Sequence, residues 1–244
     1  MNRRGALHIG TSGWHYDHWK GPFYPAEMAS REFLGYYAGR FMTAEINSSF
    51  YRMPEEKTLR GWAAAVPAGF VFAVKASRYI THMKKLKDPA EPVSRFMKRC
   101  GALGGTLGPV LFQLPPRWGY DAERLRGFLD ALPRGGRYAM EFRDPSWWNG
   151  EAYGLLKKRG VAFCVFHLAG ETSPREVTAR FVYIRLHGPG GAYEGSYSDG
   201  DLRGWASEMR AWSGQGRDVF CYFDNDEAGY AARDAMRLKE MAGG

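Results

Sequence analysis

Tyr183, Arg185 and His187 stand two apart in the run FVYIRLH, and Ala139, Glu141 and Arg143 stand two apart in RYAMEFR. A period of two puts side chains on one face of an extended strand. The residues between them, Val182, Ile184 and Leu186 in one run and Tyr138, Met140 and Phe142 in the other, suit a face covered by helices. The polar face therefore carries a guanidinium beside an imidazole in one strand and beside a carboxylate in the other. The same parity turns Glu45 and Asn47 of TAEIN and Lys75 of FVFAVK inward, while Gln113, His167 and Asp224 close three further apolar runs.

This set of side chains suits anion recognition coupled to proton transfer. Arg143 and Arg185 can each form paired hydrogen bonds to phosphate or carboxylate, and Lys75 supplies a point charge. Histidine is the side-chain type suited to proton exchange near neutrality, and His187 with Glu141, Glu45 and Asp224 forms the candidate catalytic group. Asn47 and Gln113 add amides for substrate binding. Metal hydrolysis is the competing chemistry, since Glu45, Glu141, His167, His187 and Asp224 all carry ligand atoms. Lys75, Arg143 and Arg185 project into the same space, however, and raise the energy of a divalent ion there. No H-x-E or H-E-x-x-H spacing occurs either. No metal or other cofactor is expected, and a divalent ion enters only with the alternative of an endonuclease-like phosphodiesterase.

Strand ends also meet solvent, where a polar residue needs no special role, and a buried mixed-charge network can serve the fold alone. Repetition at strand after strand favours a functional mouth. Loop residues after the first strand, Thr11, Ser12, Trp14, His15 and Tyr16, belong to that mouth, as do Phe50, Tyr51, Trp147 and Trp148. Trp14 and Tyr51 are candidates for stacking on a substrate, although large aromatics also pin loops to a rim. Gly188, Gly190, Gly191 and Gly195 follow the seventh strand, where barrels of this kind often hold phosphate. Cys164 and Cys221 have the opposite parity and read as core residues rather than nucleophiles.

Positioning these side chains requires a regular scaffold. Strands are predicted at Leu7–Thr11, Thr43–Asn47, Phe70–Lys75, Val110–Gln113, Arg137–Arg143, Val161–His167, Phe181–His187 and Val219–Asp224. Helices are predicted near 29–39, 55–65, 92–103, 121–131, 147–159, 199–213 and 226–241. In the sixth of these Leu202, Trp205, Met209 and Trp212 share a face, and Ser198 with Asp201 resembles a capping box. Leu168–Thr178 has no helical pattern. The alternation predicts a single-domain TIM-type (β/α)8 barrel over residues 1–244, close to the typical length of about 250 residues. A doubly wound sheet is less consistent, because Gly10-Thr11-Ser12-Gly13 does not match G-x-G-x-x-G.

Lys and Arg number 34 against 26 Asp and Glu, a formal charge of +8 spread over several loops and helix ends. The excess suits an anionic small-molecule substrate, leaves nucleic-acid binding possible, and is equally compatible with a solubilising surface. No apolar run reaches the roughly 18 residues of a membrane span, and no signal-peptide pattern follows Met1. Three cysteines, far apart and without a C-x-x-C pair, suit a reducing cytoplasm. The oligomeric state is left open.

The segments IGTSGW, FYP, NSSFYRMP, FAVKASRYITH, LFQLPP, EFRDPSWW, YIRLHGP, YSDGDLRGWA and YFDNDEAGYA occur in this order along nearly the whole chain. In that combination the chain resembles the domain-of-unknown-function 72, or YecE-like, family. The resemblance implies a TIM-type barrel and no established reaction. It matches Asn225 and Asp226, and Asn225 joins the substrate-binding candidates, whereas Asp224 stands where Asn is expected in many relatives.

Overall fold

The computed structural model of the chain describes residues 3–243. Its strands are β1 (Leu7–Thr11), β2 (Thr43–Ile46), β3 (Val71–Lys75), β4 (Leu107–Gln113), β5 (Tyr138–Glu141), β6 (Ala162–Leu168), β7 (Glu171–Thr172), β8 (Phe181–Leu186) and β9 (Asp218–Phe223). The α-helices are α1 (Phe33–Ala38), α2 (Glu56–Ala64), α3 (Ala90–Cys100), α4 (Ala122–Ala131), α5 (Gly150–Arg159), α6 (Asp199–Gly214) and α7 (Tyr230–Ala242). All strands but β7 lie in parallel order β1-β9-β8-β6-β5-β4-β3-β2. The open edges of that order meet where Ser12 and Glu45 form a single parallel bridge and Gly13 N–H donates to Glu45 O at 2.8 Å. The result is a nearly closed TIM-type (β/α)8 barrel, as the alternation predicts. Between β6 and β8 the short strand β7 turns back antiparallel on β6 in place of a helix, in keeping with the missing helical pattern there.

Local chemistry sets where the helices begin. Asp144 accepts from Ser146 N–H and opens a 3-10 turn at Pro145, so α5 starts after Asn149, whose side chain accepts from Ala152 N–H at 2.9 Å. Gly229 at φ 71 halts the chain before α7, four residues later than the pattern predicts. The Ser198–Asp201 capping box forms, and Leu202, Trp205 and Met209 are buried as their spacing requires. Among the described residues no helix is long and apolar enough to cross a membrane.

The interior has a dry floor. Ala73, Leu111, Ala139, Ala162 and Cys164 face Phe181, Tyr183, Phe220 and Tyr222 in one buried cluster. Small residues from one side of the barrel make room for rings from the other. A second, larger core lies between the strands and the helices. Two parity readings are corrected on β6, that of Cys164, which points into the barrel, and that of His167; Cys221 on β9 packs toward the helices as its parity predicts. His167 points outward, with Nδ1 3.0 Å from the Tyr197 hydroxyl. Both faces of β6 are apolar, so its alternation carries no sign of which face is inside.

Closure depends on Gly10. A Cβ there would lie 2.3 Å from Thr43 O and 2.9 Å from the Tyr37 hydroxyl, which accepts from Thr11 N–H and donates to Thr43 O across the seam. Gly10→Val should lower stability by about 1–3 kcal/mol, the usual cost of overpacking. Gly154→Ala in α5, where nothing lies within 4 Å of the added carbon, should instead raise it by up to about 1 kcal/mol. Urea denaturation midpoints of the two variants check both signs.

Candidate functional site

Arg185 ends the inward row of β8 and is fully buried at the C-terminal end of the barrel. Its Nη2 donates to Glu45 Oε1 at 2.7 Å, Asp224 Oδ2 at 3.0 Å and Ser12 Oγ at 3.1 Å. Its Nη1 donates to Glu141 Oε2 at 3.2 Å and lies 3.4 Å from His187 Nε2. One guanidinium thus gathers carboxylates from β2, β5 and the end of β9. The sequence placed these residues at strand ends; the barrel brings them to a common centre.

Each carboxylate has further donors. Glu45 also accepts from the Ser12 and Tyr183 hydroxyls, each at 2.6 Å, so both of its oxygens are taken. Glu141 accepts from Arg143 Nε, and its Oε1 lies 3.5 Å from His187 Nε2. Asp224 Oδ2 lies 3.0 Å from His187 Nδ1, and Arg143 Nη2 is 2.8 Å from His187 Nε2. A guanidinium can only donate, so Nε2 is the acceptor and the imidazole proton sits on Nδ1, directed at Asp224. Arg143 also stacks over Phe166 at 4.9 Å.

Burial opposes ionisation of Glu141, yet the Arg143 and Arg185 guanidiniums overcome it and hold this carboxyl well below its usual range. Burial likewise opposes ionisation of Asp224, and Arg185 with the His187 hydrogen bond brings it down to about 2. Both groups are therefore ionised at neutral pH. Burial pushes the Cys164 thiol, 3.8 Å from Glu141 Oε2, well above its ordinary value. That thiol stays protonated and is no nucleophile.

Around this closed network some polar atoms remain open. Among the described residues Lys75 Nζ makes no hydrogen bond or ion pair; it rests 4.5 Å from the Phe50 ring centre. Gln113 Oε1, next to Glu141 in the strand register, is buried without a partner. Among the described residues the side-chain hydrogen bonds of Asp224 use Oδ2 and those of Arg143 use Nε and Nη2, which leaves Oδ1 and Nη1 without one. His82, absent from the sequence candidates, packs edge-on against Phe50 at 5.0 Å. It is carried by a short π-helical turn, Tyr79–Met83, that no periodicity announced.

Other candidates lie apart. Trp14, Asn47 and Tyr51 line a neighbouring cleft of about 250 Å³ with Tyr16 and Trp62; Trp14 is packed on Trp62 and Phe72, and Tyr51 is 72% exposed. Asn225 Nδ2 donates to Gly195 O at 2.8 Å and Asp234 Oδ2 at 2.9 Å, anchoring the β8–α6 loop, while its Oδ1 is buried without a partner. In that loop Gly188 N–H is taken by the Tyr197 hydroxyl and Gly195 N–H by Glu227, so these amides form no phosphate cradle. Trp147 is fully buried and pins its loop by donating to Trp118 O at 2.6 Å. Arg185, a substrate-binding candidate, is fully buried with its charge met by three carboxylates. The same guanidinium stands where a cation bound by Glu45, Glu141 and Asp224 would stand, and among the described residues no group of three or more His, Cys, Asp or Glu side chains is placed to hold an ion.

A family model described as protein of unknown function DUF72 matches residues 8–244, and the chain belongs to that family. It is similar to the UPF0759 protein YunF of Bacillus subtilis, 25% identical over 96% of this chain and 94% of that protein. It is also similar to the UPF0759 protein YecE of Escherichia coli, 30% identical over 51% of this chain and 48% of that protein. A DUF72 family protein of Thermotoga maritima with a solved crystal structure superposes with a TM-score of 0.89 at 27% identity, covering 98% of this chain and all of the other.

Removing Arg185 tests what the network depends on. Arg185→Met leaves three buried carboxylates without their shared cation and should cost about 3–5 kcal/mol near pH 7. In the wild type, a carboxylate with a depressed folded pKa stabilises above its unfolded value and loses that contribution as pH falls through the folded one. For Asp224 that window runs from 3.8 down to about 2. Protonation in acid relieves the variant over the same range and above it, so the difference between the two proteins should shrink on acidification. Thermal or urea unfolding at pH 7 and pH 3 measures it.

Proposed function

We propose that this DUF72 family member is an enzyme that acts on a small anionic substrate, bearing phosphate or carboxylate, by acid–base chemistry at the barrel mouth. The observation that carries the reading is the line from Asp224 through His187 to Arg143 and Glu141, fixed from below by Arg185. Asp224 orients the imidazole, so Nε2 is the proton acceptor. A substrate anion meeting Arg143 at Nη1 competes for that guanidinium and loosens its hold on Nε2. If Nε2 then takes a substrate proton, Glu141 Oε1 at 3.5 Å and Asp224 at 3.0 Å stabilise the imidazolium. In this scheme Glu45, with both oxygens occupied, positions Arg185 rather than exchanging a proton, and no resident metal is used. Three buried free thiols suit a reducing compartment.

Thermal shift and calorimetry with inorganic phosphate, small phosphate monoesters and small carboxylic acids test the proposal. Arg143→Met should weaken the best of these ligands by about 2 kcal/mol or more in Kd. His187→Gln should keep most of the affinity and slow turnover of that ligand about 10²- to 10⁴-fold. Unchanged affinity in folded Arg143→Met would remove the anion site, and unchanged turnover in His187→Gln the acid–base role.

A further inference from the structure

Lys75 is the cation of the mouth that the network does not use. It ends β3 with its side chain inside the barrel, only 7% exposed. Buried ammonium groups ordinarily have a carboxylate partner. Here the carboxylates of the neighbouring elements are turned to Arg185, and Glu141 also to Arg143. Nζ is left beside the Phe50 ring, which attracts a cation only weakly at that distance compared with a paired charge. On the next strand Gln113 holds its own buried, unpartnered oxygen at the same mouth.

We propose that Lys75 forms a Schiff base with an aldehyde or ketone, so that the substrate of this site is a small carbonyl compound carrying an anionic group. The inference rests on the reading of the mouth as a substrate site and refines it: Arg143 meets the anion, and Lys75 takes the carbonyl. The neutral amine adds through its lone pair to the carbonyl carbon, and the C=O π pair moves to oxygen. A proton passes from nitrogen to that oxygen to give the carbinolamine. Its hydroxyl then takes a proton from solvent and leaves as water while the nitrogen lone pair closes the C=N bond, giving a protonated imine. The Gln113 oxygen is placed to accept a hydrogen bond from the carbinolamine hydroxyl or from a hydroxyl of the substrate.

The surroundings favour a usable fraction of neutral amine. Burial pushes the Lys75 ammonium down to about 8, Arg185 adds to the effect, and Asp224, Glu45 and Glu141 pull the other way. His82 shares this neighbourhood and is itself lowered, by burial first and then by Lys75, Arg78 and Arg143. Two guanidiniums against three carboxylates leave one negative charge that a cationic nitrogen at Lys75 balances. A protonated imine keeps that balance, so bond formation does not strand a charge in the mouth.

Pyridoxal 5′-phosphate and propionaldehyde, each at limiting concentration with borohydride reduction and peptide mass mapping, decide the matter. Lys75 should be labelled about ten-fold or more faster than the surface lysines near pH 7.5, because their ordinary value is about 10.4. Its rate should rise half-maximally near pH 8. Lys75→Arg should stay folded and lose the preferred label. Preferred labelling by both aldehydes, faster with the phosphorylated one, supports the whole inference. Preferred labelling with no advantage for the phosphorylated aldehyde keeps the Schiff base and overturns the anionic character of its substrate. Label spread over surface lysines with both reagents overturns the Schiff base, and leaves the Arg143 anion site to stand or fall on its own binding test.

Discussion

A single buried guanidinium organises the C-terminal end of this barrel. Taking a carboxylate out of water is costly, and three of them in one dry space repel one another as well. Glu45, Glu141 and Asp224 are tolerated together because Arg185 donates to all of them at 2.7–3.2 Å. Its planar fork can address three acceptors at once, which a lysine ammonium on a flexible stem would do with less directional control. Remove it and the same residues become mutually destabilising.

Much else follows from holding that fork still. Tyr183, two residues below Arg185 on β8, donates to Glu45, and Ser12 closes the other side of the same carboxylate. Ser12 and Glu45 are also the bridge across the seam between β1 and β2. Barrel closure and charge neutralisation thus share residues, so the fold and the site constrain each other. Below them the floor is built mostly of apolar and aromatic side chains, which keeps the local dielectric low and strengthens each of these contacts.

Uncommitted atoms remain around the network, among them the Lys75 nitrogen, the Gln113 and Asn47 amide oxygens, one oxygen of Asp224 and one nitrogen of Arg143. The Asp224–His187 pair, with Arg143 on the other side of the ring, fixes which imidazole nitrogen accepts. A network whose carboxylates are held by fixed donors while atoms at its edge stay unpaired is the arrangement expected of a preorganised site, where orientation is settled before substrate arrives. A network serving stability alone would have gained from pairing Lys75 as well.

The sequence by itself determined the barrel and most of its parity. Strand and helix alternation carried the architecture, and a period of two in FVYIRLH and RYAMEFR put Arg185, His187, Glu141 and Arg143 on the inner face, where they lie. Parity failed on β6, because a strand apolar on both faces gives no sign of direction, and so Cys164 and His167 were turned the wrong way. Helix starts shifted where Gly229 or the Asp144-Pro145 turn overrode periodicity. Only the tertiary structure decided which charges are spent and which are free. Arg185, Arg143 and Lys75 look alike as inward-facing cations in the sequence, yet the first is neutralised by three carboxylates, the second by one, and the third has none within ion-pair distance among the described residues. Pairing is a matter of distance between residues as many as 140 positions apart. Local pattern fixes the face a side chain takes, but only barrel closure brings its partner to it.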